Sequence, residues 1–159
     1  MPKAGFWSIG GYDINFRRDG HWYADDELVE NRRIALLFSQ HVEPDGAGGW
    51  VIDLKIDRQP VRVEDTALVV QLVEGDEATG FEIRTNDDVV EALDCSTLEV
   101  GPDNVLYCSV DRGERGRFKA RFLRGAYYSL VSHFVESSHD DSIVLPCRGV
   151  EYAIPERSA

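Results

Sequence analysis

The sequence predicts an α+β protein of two related halves, each setting one main helix beside mainly antiparallel sheet. Three observations predict it. Ile34, Phe38 and Val42 fall four apart with Leu37 beside them, which is helical spacing. Tyr127, Leu130, Val131, Phe134 and Val135 repeat the i, i+3, i+4, i+7, i+8 face of a second helix. Between and around these segments lie short runs with period-two alternation, punctuated by Gly, Pro and Asp.

The elements follow in order. Residues 14–16 and 21–23 read as strands joined by Arg18-Asp19-Gly20, since Asp-Gly favours a tight hairpin. Asn31 is the N-cap of a helix over 32–42, which Pro44-Asp45-Gly46 stops. Residues 50–54 form a strand after Gly48-Gly49. Over 60–64, Val61 and Val63 alternate with Arg62 and Glu64. A buried-looking strand at 68–73 turns at Glu74-Gly75-Asp76, and 81–84 returns. Residues 98–100 and 106–110 flank Gly101-Pro102-Asp103-Asn104. Residues 117–122 alternate strictly, Gly125 ends them, and the second helix covers 126–137. Strands at 143–145 and 150–154 close the chain, and the tail 155–159 is expected to be disordered.

This places an N-terminal α+β half at 1–60 and a C-terminal half at 61–159. The latter holds the strands of 61–122, the second helix and the closing strands. Trp22 and Phe118, Ile34 and Leu130, Ala35 and Val131, and Phe38 and Phe134 all pair at one constant spacing. Either the halves are duplicated copies or this is a coincidence that any α+β chain can yield.

Bulk composition bounds the function. At 159 residues, 43% hydrophobic and 29% charged, the chain is globular in character. Trp7, Trp22, Trp50 and seven Phe are available to anchor a core. A net charge of -12 argues against nucleic-acid polymers and anionic membrane surfaces. Cys95, Cys108 and Cys147 form no CxxC, so they are expected to be free thiols in a reducing, cytoplasmic setting. Residues 1–11 lack the regions of a signal peptide, and no apolar run approaches the ~20 residues that span a bilayer.

The segment 112–124 concentrates positive charge: Arg112, Arg115, Arg117, Lys119, Arg121 and Arg124 against Glu114. As a strand, residues 117–122 put Arg117, Lys119 and Arg121 on one face and Phe118, Ala120 and Phe122 on the other. The stripe can hold carboxylate or phosphate; it can equally be a solvated face paired with acidic residues. Arg32 and Arg33 at a helix start are open to the same two readings, anion contact or surface pairing. Thr85-Asn86-Asp87-Asp88 is either an Asx-type loop or a source of hydrogen bonds in a pocket. His139-Asp140-Asp141 reads as an acidic loop rather than a metal site. HExxH, GxSxG, Walker and GxGxxG patterns are absent from the sequence. No catalytic residue, metal ligand or cofactor is therefore expected, and an enzyme is the least favoured class.

The succession of Trp22-Tyr23, the Leu-Phe-Ser of 37–39, Val61-x-Val-Glu-Asp65, Phe81-x-x-x-Thr85-Asn86 and Arg124-x-x-Tyr127-Tyr128 resembles the bacterial DUF1285 family, a domain of unknown function, across about 14–154. The resemblance implies a duplicated α+β fold whose second half is loosely pleckstrin-homology-like. It also implies a ligand groove between the halves, suited to a nucleotide-like molecule, and a role in signal transduction. Two departures stand out. Asp53-Leu54-Lys55-Ile56-Asp57 replaces a Thr-Pro-x-Glu-like element. Residues 141–146 replace a Trp-Ser-x-Gly-x-Phe-Phe ending. The resulting expectation is a non-catalytic binding or sensor module for a small anionic molecule. Arg32, Thr85, Asn86, Arg121 and Arg124 are its polar contacts and Tyr127 its stacking one. A protein-interaction adaptor is the alternative.

Overall fold

The structure, a computed structural model, describes residues 11–157. Trp7 and the last two residues of the tail lie outside the described residues; residues 155–157, expected to be disordered, instead pair through their backbone with Val100. The first sheet is built from β1 (Ile14–Phe16), β2 (Trp22–Ala24), β3 (Glu27–Leu28), β4 (Val42–Pro44), β5 (Trp50–Asp53) and β6 (Arg58–Val63), with α1 (Arg32–His41) between β3 and β4. Its order is β3-β2-β1-β6-β5-β4. All neighbours are antiparallel except β1 and β6, which run parallel at the centre.

The second sheet contains β7 (Leu68–Asp76), β8 (Gly80–Thr85), β9 (Val90–Ala92), β10 (Glu99–Val100), β11 (Leu106–Asp111) and β12 (Arg117–Phe122), followed by α2 (Arg124–Val131). Its order is β10-β11-β12-β7-β8-β9, again with first and last strand parallel at the centre. Read from its other edge, it repeats the strand order of the first sheet. A small third sheet joins β13 (Val135–Glu136), β14 (Ile143–Cys147) and β15 (Val150–Ala153).

The halves are thus related in topology, but not through the pairs that the constant spacing suggested. Trp22 sits in the second strand of its sheet, whereas Phe118 sits in the last strand of the other. The place of α1, between third and fourth strands, is taken in the second half by a short 3-10 turn at Cys95–Thr97. The helix α2 follows the whole sheet. The expected strand at 60–64 is β6 and belongs to the first sheet, so the sheets change over between Val63 and Leu68.

Local chemistry explains the boundaries. Asn31 Oδ1 accepts from the Arg33 and Ile34 amides at 3.0 and 3.2 Å, capping α1 as the sequence indicated. The helix ends at His41 because Val42 turns extended and pairs with Ile52. Pro44 then closes β4, and Asp45 shapes the turn into β5 by accepting from the Ala47 and Gly49 amides. The second helix stops at Val131, well short of 137. Ser132 to Phe134 turn away, and Val135 pairs with Val144 in the third sheet. The expected turn at Glu74-Gly75-Asp76 is instead part of β7. Gly75 lies opposite Phe81 with φ +113°, and a Cβ there would collide with the Gly80 carbonyl oxygen.

One hydrophobic core runs through both halves. Ile34 and Phe38 are buried on α1, and the Trp22 ring meets Phe38 edge-on at 5.5 Å and Phe16 at 4.8 Å. Trp50 of the first sheet meets Phe118 of the second at 5.7 Å. Ala126 and Leu130 seat α2 on the second sheet. Among the described residues, no helix is long and apolar enough to cross a membrane.

Candidate functional site

Where the halves meet, two adjoining cavities share Asp19 and Leu123 as walls. The larger, about 660 Å³, lies between α1 and the β7–β8 hairpin. The smaller, about 520 Å³, lies between the β1–β2 turn and the start of α2. The saddle between them is tight. Gly20 has φ +84°, and a Cβ there would sit 3.0 Å from Leu123 Cδ1 and 3.3 Å from Val69 Cγ2.

Helical period places Arg32, Ala35, Leu36 and Ser39 on one face of α1, and all four line the larger cavity. Arg84 and Asn86 face them from the end of β8. Arg84 belongs to β8 itself and Asn86 to the turn that follows it. Ser39 Oγ accepts from Trp22 Nε1 at 2.9 Å and from Asn86 Nδ2 at 2.8 Å. The Asn86 side chain also accepts from the Val69 amide at 2.7 Å and donates to the Ala67 carbonyl at 3.4 Å. It therefore fastens β7 to α1.

The other expected contacts divide. Arg32 lines the larger cavity; Arg121, Arg124 and Tyr127 line the smaller. Thr85 lines neither. It is fully buried, donating to Asp87 at 2.5 Å and accepting from Arg112 at 2.9 Å. Arg33, read with Arg32 as an anion contact or a surface pair, lines the larger cavity, as do Ser39 and Arg84, which the sequence did not single out. An Arg within an alternating strand and a Ser within a helix carry no local signal.

The cationic stripe is a paired face, the second of its two readings. Arg117 meets Asp94 at 3.9 Å, Lys119 meets Glu99 at 2.6 Å, and Arg121 meets Asp65 at 3.0 Å. The hydrogen bond from Lys119 holds the Glu99 carboxyl below its ordinary pKa, against the opposing effect of burial. Asp65 also accepts from Tyr107 at 2.8 Å. Burial first, and then that carboxylate, push the phenol up to about 12.

Behind the larger cavity lies a buried ionic cluster. The Arg112 side chain is 7% exposed and Asp87 1%. Arg112 donates to Asp87 at 2.7 Å and meets Glu91 at 2.8 Å. Burial pulls the Arg112 pKa down, but Asp87 and then Glu91 outweigh it, and the net shift is upward. Arg115 donates to the Ser39 and Val42 carbonyls at 2.8 and 2.9 Å, at the C-terminal end of α1. The cluster ties the second sheet to the helix that carries Arg32.

The remaining cations are distributed unevenly. Among the described residues, six Lys and Arg side chains form no ion pair: Lys55 and Arg148 lie away from the cavities, whereas Arg32, Arg33, Arg84 and Arg124 line them. Among the described residues, His, Cys, Asp and Glu form no group placed to hold a metal ion.

No protein-family model matches the chain, and no curated protein matches it in sequence. Two solved structures match its fold. A DUF1285 family protein from Silicibacter pomeroyi DSS-3 aligns with TM-score 0.69 and 18% identity over 89% of this chain and 79% of that one. A DUF1285 family protein from Shewanella baltica OS155 aligns with TM-score 0.58 and 18% identity over 77% of this chain and 92% of that one. The chain therefore has the fold of the DUF1285 proteins that its sequence resembles.

Proposed function

We propose that the chain is a non-catalytic binding or sensor module whose groove between the halves takes a small anionic molecule. One observation carries this reading. In a chain of net charge -12, most arginines have found a carboxylate, yet the groove keeps Arg32, Arg33, Arg84 and Arg124 unpaired among the described residues. A guanidinium without a partner at a cavity wall is available for charge-assisted hydrogen bonds to an anion, each worth about 1.5–3 kcal/mol. Tyr127 beside Arg124 adds an aromatic face to the smaller cavity, which suits a nucleotide-like ligand. The sheet closed by a C-terminal α2 supports a loosely pleckstrin-homology-like second half. The role in bacterial signalling rests on the family resemblance.

A thermal-shift screen of nucleotides, phosphate and small carboxylates tests the reading. Ligand at a hundred times its Kd stabilises by about 2.7 kcal/mol. The proposal expects a rise with at least one anion and loss of that rise in Arg84→Gln. A flat screen at millimolar concentrations counts against it. The adaptor reading is favoured by the edge strand β9, where Val90 is 56% exposed beside unpaired backbone. A partner copurifying with the chain, alongside a flat anion screen, would select it.

A further inference from the structure

We infer that the occupant of the larger cavity carries one oxyanion head on an aliphatic body, and that the Ser39 hydroxyl donates to that head. The inference rests on the anion-binding reading and specifies its ligand class.

A serine hydroxyl has two lone pairs and one proton. In Ser39 both lone pairs are occupied, by Trp22 Nε1 and Asn86 Nδ2. The proton must therefore be donated. A helical serine commonly returns it to the carbonyl four residues back, as Ser129 does to Gly125 at 3.0 Å. Ser39 has no such acceptor among the described residues, although it is 2% exposed and lines the cavity. A buried donor without a partner is costly, and an oxygen acceptor in the cavity satisfies it. Arg84 lines the same cavity as Asn86, which itself touches Ser39. Its guanidinium is the cation assigned to the same head.

The rest of the cavity limits what the head is attached to. Leu28, Leu36 and Leu123 line it, and none of the three is fully buried. Trp22 is 2% exposed with its Nε1 turned to Ser39, so it offers no ring face to stack a base. Glu30 and Asp88 share the rim and repel a polyphosphate. A single carboxylate or phosphate head with an alkyl body fits these walls.

Calorimetric titration of the full chain with n-alkyl phosphates from ethyl to octyl tests this, with octanoate, 1-octanol, inorganic phosphate and AMP as further arms. The expected result is an affinity that rises about three- to four-fold per methylene. Octyl phosphate binding should fall at least ten-fold in Arg84→Gln and in Ser39→Ala. The octanoate arm separates a carboxylate from a phosphate head. If Ser39→Ala does not fold, the wild-type series and the exposed Arg84→Gln variant still decide. AMP binding that depends on Arg84, with no gain along the alkyl series, overturns the ligand class and leaves the anion site standing. Binding of 1-octanol as tight as octyl phosphate, or no loss in Arg84→Gln, overturns the head. No binding by any anion overturns both readings.

Discussion

Replacing Arg112 by Met removes the centre of the buried cluster while keeping most of its volume. Arg112 contacts Asp87 at 2.7 Å, Glu91 at 2.8 Å and Thr85 at 2.9 Å, with its side chain 7% exposed. In the variant, Asp87 stays 1% exposed with only the Thr85 hydroxyl close by and Arg115 at 3.7 Å. Leaving one member of a buried pair behind costs about 3–5 kcal/mol. That is a large part of the 5–15 kcal/mol typical of a folded protein. At about 2–4 °C per kcal/mol for a chain of this size, the melting point should fall by roughly 6–20 °C. Urea denaturation followed by circular dichroism measures the loss. The double variant Asp87→Leu with Arg112→Met removes the most deeply buried stranded charge and leaves Glu91 and Arg115, which are 26% and 19% exposed. It should therefore lose less than the sum of the two single variants. A single variant within about 1 kcal/mol of wild type, or strict additivity in the double, would refute the reasoning.

Other outcomes follow from individual contacts. Gly75→Ala forces a side chain against the Gly80 carbonyl and should cost roughly 2–4 kcal/mol in the same urea assay. Asn86→Ala strands the Val69 amide and should cost about 1–3 kcal/mol. Glu99 has a folded pKa held below its ordinary 4.5, chiefly by Lys119, so its contribution is complete above pH 4.5 and disappears as pH falls through the depressed value. The stability difference between wild type and Glu99→Gln should therefore be constant near neutrality and vanish in acid. Burial pushes the Cys95 and Cys108 thiols up to about 12. Iodoacetamide at pH 8 should label them only as fast as the chain unfolds.

Much of the fold was legible where a local rule acts alone. Asn31 announces α1 because its side chain caps within three residues. Arg117–Phe122 alternates because one face is core, and the burial follows it. Where two rules compete, the sequence misleads. Phe134 and Val135 extend the helical period of α2, yet strand pairing with Val144 claims Val135. The repeat is real in strand order but invisible in residue spacing, because a ten-residue helix in one half faces a three-residue turn in the other. The site was legible only in part. The charge of Arg117, Lys119 and Arg121 is visible, but the partners that neutralise it are Asp94, Glu99 and Asp65, which come from other elements. Asn86, an expected contact, lines the larger cavity, but its hydrogen bonds go to Ser39, Val69 and Ala67, which only the tertiary fold brings near. The arginines proposed for binding are those left over after pairing, and pairing is a property of the fold.

The central claim is that the groove between the halves is the anion site. Amide-resolved NMR of the labelled chain, titrated with inorganic phosphate and with octyl phosphate in an anion-poor buffer, tests it most directly. The account predicts saturable shifts at Arg32, Leu36, Ser39, Arg84, Asn86 and Leu123, reduced in Arg84→Gln. Shifts confined to the third sheet, or none at millimolar ligand, would contradict it.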